Sequence, residues 1–156
     1  MKVVAAVGVS AAAFAPGGGG GVGIAYIAVL LYSLPRLGAN MKPVHWMGAS
    51  LTDLRDFPAE VQDDIGYALY EAQTGAKSSK AKPLKGFGGA GVLEIVETHD
   101  GDAYRAVYTV RFAAAIYVLH VFQKKSKRGI ATPKHDMDLI EKRLQLAIAD
   151  ASGDGS

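Results

Sequence analysis

Two stretches of this sequence are rich in lysine and arginine and contain no acidic residue. They cover residues 103–132 and 76–91. The basic side chains are Arg105, Arg111, Lys124, Lys125, Lys127 and Arg128 in the first, and Lys77, Lys80, Lys82 and Lys85 in the second. Clustered cations neutralise phosphates, so the pattern favours a nucleic-acid partner. The alternative is that these lysines form only a solvated surface. The formal net charge of +2 does not by itself indicate a partner.

The first basic stretch overlaps a predicted antiparallel sheet. Strand-like runs cover residues 92–98, 103–112 and 115–122. Asp100-Gly101 predicts a tight hairpin turn between the first two runs, because such turns require positive φ. Ala113-Ala114 leaves room for only one more short turn. Together these features predict a three-stranded antiparallel meander.

The register of this meander places several ionisable side chains on one face. With turns at residues 100–101 and 113–114, Glu94 and His120 both lie opposite Val107, and side chains alternate between faces. The polar face then carries Glu94, Arg105, Arg111, His120 and Lys124. The other face, with Tyr104, Ala106, Tyr108, Val110 and Phe112, is expected to pack on helices. Two alternatives stay open: Glu94 as a structural partner of an arginine, and His120 as a partly buried strand histidine.

Segments on both sides of the meander complete an α+β domain. Residues 42–47 predict a short strand, and residues 50–74 predict a helical hairpin or kinked helix with Ser50 in a capping box and Pro58 opening its second part. The apolar stripe of this region is Leu51, Leu54, Phe57, Val61, Ile65, Ala68 and Leu69. Residues 76–91 predict a loop. Thr132 is predicted to cap a last helix that ends at Asp150.

The length of 156 residues allows one compact domain. Residues 1–40 carry two charges and eight of the 19 glycines, so we expect an apolar, glycine-rich extension that is disordered or precedes a misassigned start. The alternative is an export or anchoring signal. We expect the folded domain at residues 41–150 and a disordered tail at residues 151–156.

The sequence contains no cysteine, which excludes disulfides, thiolate metal sites and a cysteine nucleophile. His45, His99 and His135 do not have the spacing of a metal site. The glycines of residues 86–91 lack the strand–loop–helix context of a phosphate-binding loop. We therefore expect neither a metal nor a cofactor.

Residues 41–150 resemble the phage-derived, HigB-like branch of the RelE/ParE toxin superfamily. The similarity rests on residues 82–86 (KPLKG) leading into 92–95 (VLEI), on 104–110 (YRAVYTV), and on 122–130 (FQKKSKRGI) followed by 132–134 (TPK). The resemblance implies a RelE-like fold and the toxin half of a type II toxin–antitoxin pair. It also implies a helix-turn-helix antitoxin, the ribosome and mRNA as partners, and a location in the cytoplasm.

Many members of this superfamily are metal-independent endoribonucleases that cut mRNA on the ribosome. Such cleavage needs a base for the ribose 2′-OH, cations at the phosphate and an acid for the leaving oxygen. The resemblance implies that Arg105 contacts the phosphate and that Lys124 or Lys125 supplies a second cation. Lys82, Lys85, Arg111, Lys127 and Arg128 are the expected RNA-binding residues.

The identity of the base stays open. RelE-type enzymes carry lysines on the strand where this chain has Glu94 and Glu97, so the candidates are Glu94 and His120. A non-enzymatic, ParE-like toxin that inhibits DNA gyrase is the main alternative function. A membrane-tethered or secreted basic binding module is a third hypothesis, and it depends on residues 1–40 being a signal.

Overall fold

The computed structural model describes residues 41–124 and 131–153. The expectations for residues 1–40 and for Lys125, Lys127 and Arg128 lie outside these ranges. The helices and strands of the described ranges are β1 (Val44–Trp46), α1 (Ser50–Arg55), α2 (Ala59–Gln73), β2 (Ala81–Pro83), β3 (Val92–His99), β4 (Asp102–Thr109), β5 (Ile116–Lys124) and α3 (Lys134–Ala151). The α+β class is as predicted.

The strands form one five-stranded sheet in the order β1-β5-β4-β3-β2. The predicted meander of three strands is therefore only the centre of the sheet. Strand β1 pairs in parallel with β5, and β2 pairs antiparallel with β3 so that Lys82 lies opposite Glu94. Strand β2 lies inside the segment predicted as a loop. The sequence did not predict it because the strand has only three residues and one of them is Pro83, which has no N–H group to donate to a neighbouring strand.

The predicted register is confirmed for the pairing of β3 with β4, and for the pairing of β4 with β5 over Ala103–Val107. Asp100 and Gly101 form the first turn with φ values of 49° and 82°, and Val107 pairs with both Glu94 and His120. The second turn is longer than predicted, because β4 ends at Thr109 and β5 begins at Ile116. A register shift follows Val107 on β4. Arg111 consequently lies in an exposed loop and not on the strand face.

Helices cover both faces of the sheet. The predicted stripe of α1 and α2 packs in a core with Trp46, Tyr104, Ala106 and Tyr108. Helix α3 packs Ile140 and Leu144 into a second core on the other face. Phe112 was expected on the same sheet face as Tyr104 and Tyr108. It packs instead in the second core, where its ring lies 5.1 Å from that of Tyr117. The added length of the β4–β5 turn explains this difference.

The two predicted hydroxyl caps are wrong. The Ser50 hydroxyl donates to the carbonyl of Val118, and α1 has no side-chain cap. Helix α3 starts after Pro133, also without a side-chain cap, and the Thr132 hydroxyl contacts Arg105. Both hydroxyls join a helix start to the sheet. In the described ranges, no helix is both long enough and apolar enough to cross a membrane.

Candidate functional site

A cleft of about 420 Å³ lies between the edge of the sheet and the start of α3. We call it the Arg105 cleft. Its lining consists of Lys82, Pro83, Leu84, Lys85, Glu94, Arg105, Ala131, Thr132 and Met137. Four of the sequence-predicted site residues, Lys82, Lys85, Glu94 and Arg105, thus meet in one cavity. The antiparallel pairing of β2, β3 and β4 brings three of them side by side.

The floor of the Arg105 cleft carries a buried ion pair. Nη1 of Arg105 lies 2.9 Å from Oε2 of Glu94, and the two side chains are only 6% and 9% exposed. An ion pair with so little solvent around it is screened far less than a surface pair. Glu94 is thus paired with an arginine, and this contact alone does not assign it a structural or a catalytic role.

Lys82 is the second cation beside Glu94. Its Nζ lies 3.7 Å from Oε1, the carboxylate oxygen that does not face Arg105, and its side chain is 56% exposed. Glu94 thus lies between a buried cation and a solvent-exposed one. The Glu94 carboxylate can accept hydrogen bonds, and the two cations can bind an anionic group beside it.

Two contacts fasten the segment before α3 over the sheet. Arg105 donates from Nη1 to the Thr132 hydroxyl at 3.0 Å. Lys124 donates from Nζ to the carbonyl oxygen of Ala131 at 2.7 Å. These contacts hold one wall of the Arg105 cleft in place. From the sequence, Thr132 was predicted only as a helix cap. Its contact with Arg105 could not be predicted, because the two residues are 27 positions apart in the chain.

His120 does not line the Arg105 cleft. Its Nε2 lies 2.9 Å from Oδ1 of Asp136, and its Nδ1 lies 3.3 Å from Nη1 of Arg143. An arginine can only donate, so Nδ1 accepts and the ring is the neutral Nε2–H tautomer. Burial lowers the pKa of His120, assisted by the Arg143 charge and opposed by Asp136. The ring borders a second, shallower pocket of about 300 Å³ beside Asp53 and Phe122.

Arg143 is a buried residue that sequence reasoning missed. It donates from Nη1 to the carbonyl of Leu119 at 2.8 Å and is 9% exposed. Gly48, with a φ of +56°, makes room for it, because a Cβ there would lie 2.8 Å from Cζ of Arg143 and closer still to Nη2. The available signal was its position beside Ile140 and Leu144 on the apolar side of α3.

Among residues 41–124 and 131–153, no group of three or more histidine, aspartate or glutamate side chains is arranged to hold a metal ion. Lys85 lies at the rim of the Arg105 cleft, and Lys124 reaches the Ala131 carbonyl beside it. Arg111 is not part of its lining. The cleft thus combines a carboxylate, a buried guanidinium and exposed lysines with an apolar wall.

Comparison with known proteins identifies a protein family. The family model "Phage derived protein Gp49-like (DUF891)" matches residues 52–145, which is more than half of the chain. This family consists of RelE-like toxins and is associated with toxin–antitoxin pairs. The match does not assign the chain to the HigB-like branch. No curated protein and no solved structure matched the chain.

Proposed function

Because the chain belongs to the Gp49-like family of phage-derived proteins, we propose that it is the toxin of a type II toxin–antitoxin pair and cleaves translated mRNA at the Arg105 cleft. The partner that neutralises it is a helix-turn-helix antitoxin. The ribosome presents the message. The matched residues 52–145 include Glu94 and Arg105.

The observation that carries the proposal is the arrangement around Glu94. One carboxylate oxygen lies 2.9 Å from Arg105 and the other 3.7 Å from Lys82, inside a cleft. RNA cleavage by internal attack needs a base and cations within reach of the same phosphodiester. A surface that only attracts RNA would not need a buried carboxylate among its cations.

Residues of the cleft, together with a lysine at the end of β5 or just after it, can be assigned to the steps of this reaction. Glu94 takes the proton from the ribose 2′-OH, and the resulting oxygen attacks the adjacent phosphorus. Arg105 and Lys82 bind the phosphate oxygens as negative charge develops on them. The bond from phosphorus to the 5′ oxygen breaks, which leaves a 2′,3′-cyclic phosphate and a 5′-hydroxyl. Lys124 or Lys125 donates the proton that the 5′ oxygen takes up.

A second candidate function is ParE-like inhibition of DNA gyrase without catalysis. The observation that favours it is the position of His120, whose two ring nitrogens contact Asp136 and Arg143 and which does not line the Arg105 cleft. The described part of the cleft is thus lined by no histidine that could serve as a general acid. In this alternative the buried pair of Glu94 and Arg105 only stabilises the sheet.

Induced expression of the full chain, with primer extension on a translated message, separates the two functions. We expect growth arrest and cuts within codons. Glu94→Gln should lower the cleavage rate about 100- to 10,000-fold, the range for loss of a general base. Arg105→Ala should also relieve the arrest. Lys142→Ala, an exposed lysine of α3 outside the cleft, is the matched control and should behave as the unchanged chain.

Each variant needs a test of folding, because removing one partner of a buried ion pair costs about 3–5 kcal/mol. Circular dichroism and co-purification with the antitoxin supply that test. Growth arrest without cleavage, accompanied by gyrase-linked DNA breaks, would refute the ribonuclease and support the alternative. Unchanged cleavage by a folded Glu94→Gln variant would remove Glu94 from the role of base.

A further inference from the structure

We propose that the Arg105 cleft seats one unpaired nucleobase of the RNA against an apolar wall formed by Pro83, Leu84 and Met137, next to the phosphate-binding cations. This inference rests on the proposed function and extends it to the substrate: single-stranded RNA, held by the flat surface of a base as well as by its backbone. Met137 is the residue that touches the base.

The apolar wall comes from two separate parts of the chain. Pro83 and Leu84 lie at the end of β2, and Met137 lies in the first turn of α3. Leu84 is buried in the second core, and Met137 packs against the same core while remaining partly exposed to the cleft. The wall is therefore backed by packed side chains and can support a ligand without reorganising.

Gly86 keeps the loop after β2 close to Met137. Its φ is +94°, and a Cβ there would lie 3.1 Å from the Met137 methyl group. Any larger residue would push on that methyl group and be strained in its backbone. The loop after β2 therefore lies close to the Met137 methyl group, and Met137 also lines the cleft.

The two kinds of lining match the two parts of a nucleotide. Charged groups from β2, β3 and β4 suit a phosphate, and the apolar wall suits a base. The volume of about 420 Å³ falls in the range of cavities that enclose small ligands. A base within a duplex is stacked on both sides, so RNA is recognised in this way only where its bases are unpaired.

The wall should recognise every base. Pro83, Leu84, Ala131 and Met137 carry no hydrogen-bonding group on their side chains, so they contact the flat surface of the ring and not its edge. Every base has such a surface, which makes stacking tolerant of sequence. A methionine thioether also adapts to rings of different size. We therefore expect weak base preference at this position.

Methionine methyl NMR tests the contact directly. The chain has four methionines, and ¹³C-methyl labelling gives each a signal. The probes are a trinucleotide RNA with methylated 2′ oxygens, which is not cleaved, the same backbone without bases, and inorganic phosphate. We expect a ring-current shift of the Met137 signal with the trinucleotide alone. Met47, buried in the same core, should keep its position.

A variant measures the contribution of the contact. Met137→Ala should weaken binding of the trinucleotide about two- to tenfold, the range of a sulfur–aromatic contact. Its affinity for the backbone without bases should not change. Leu146→Ala is the matched control, since Leu146 is a partly buried residue of α3 in the same core but outside the cleft lining. Circular dichroism checks that both variants fold.

The outcomes separate this inference from the proposed function. If the trinucleotide and the backbone without bases bind equally, or binding leaves the Met137 signal unmoved, the base is not seated here and the inference is wrong. In that case, Arg105-dependent cleavage of mRNA in cells that express the chain would still support the proposed function. If the Met137 signal responds to the antitoxin and to no RNA probe, the wall is a protein-docking surface and the inference is also overturned. Absence of any Arg105-dependent cleavage contradicts the proposed function itself.

Discussion

The contact between Gly48 and Arg143 predicts a large and specific effect of one added methyl group. Gly48→Ala places a Cβ 2.8 Å from Cζ of Arg143 in a backbone conformation with a φ of +56°. The guanidinium has to move, and its bond from Nη1 to the Leu119 carbonyl at 2.8 Å is then lost or lengthened. Its contact with Nδ1 of His120 is disturbed as well.

The magnitude follows from two contributions. A left-handed conformation costs a non-glycine residue about 1–2 kcal/mol, and a hydrogen bond to a charged group is worth about 1.5–3 kcal/mol. We expect Gly48→Ala to lower the free energy of unfolding by about 2.5–5 kcal/mol. That is a large part of the stability of a domain, which is typically about 5–15 kcal/mol.

Urea denaturation of the purified chain, followed by circular dichroism, measures this loss. Gly75→Ala is the matched control, because Gly75 has a φ of +84° and no atom within 4 Å of an added Cβ. It should lose only the backbone contribution of about 1–2 kcal/mol. Adding Arg143→Met to Gly48→Ala should remove the clash, so the two changes should not be additive. Equal losses for Gly48→Ala and Gly75→Ala would refute the reasoning.

Three further predictions concern other parts of the molecule. Because the pKa of His120 is lowered from 6.5 in the fold, the unfolded chain binds its proton first as pH falls. The contribution of His120 to the free energy of unfolding should therefore be constant above about pH 6.5 and decline below it. His120→Asn should make that decline smaller in denaturation curves measured at successive pH values. Tyr117→Phe removes the 2.6 Å bond to the Asp150 carboxylate and should cost about 1.5–3 kcal/mol by urea denaturation. Deleting residues 1–40 should leave growth arrest intact, whereas a lost arrest with normal protein levels would support a signal in that segment.

Much of the sheet could be predicted because its signals are local. Asp100-Gly101 marks the first turn, and alternation then fixes the pairing of Glu94 and His120 with Val107. The apolar stripes of the helices were equally visible, since helical periodicity repeats within one segment. The grouping of Lys82, Glu94 and Arg105 followed from the register once β2 had joined the edge.

The parts that could not be predicted depend on contacts between distant segments. Strand β2 has three residues and is a strand only because β3 offers it an edge. The contacts of His120 with Asp136 and Arg143 require knowing how α3 crosses the sheet. Thr132 looked like a helix cap because capping preference is local, whereas its contact with Arg105 is a property of the closed fold.

The parallel pairing of β1 with β5 has a consequence for the order in which the protein can assemble. Val44 pairs with Ile116, which is 72 positions later in the chain. At about 5–20 residues per second, a ribosome needs about 4–14 s to synthesise that interval. During this time β1 lacks β5, its neighbour in the sheet, and α1 lacks the same strand, on which it packs. Contacts so distant in sequence also slow folding. The sheet can therefore close only late in synthesis, when β5 has emerged.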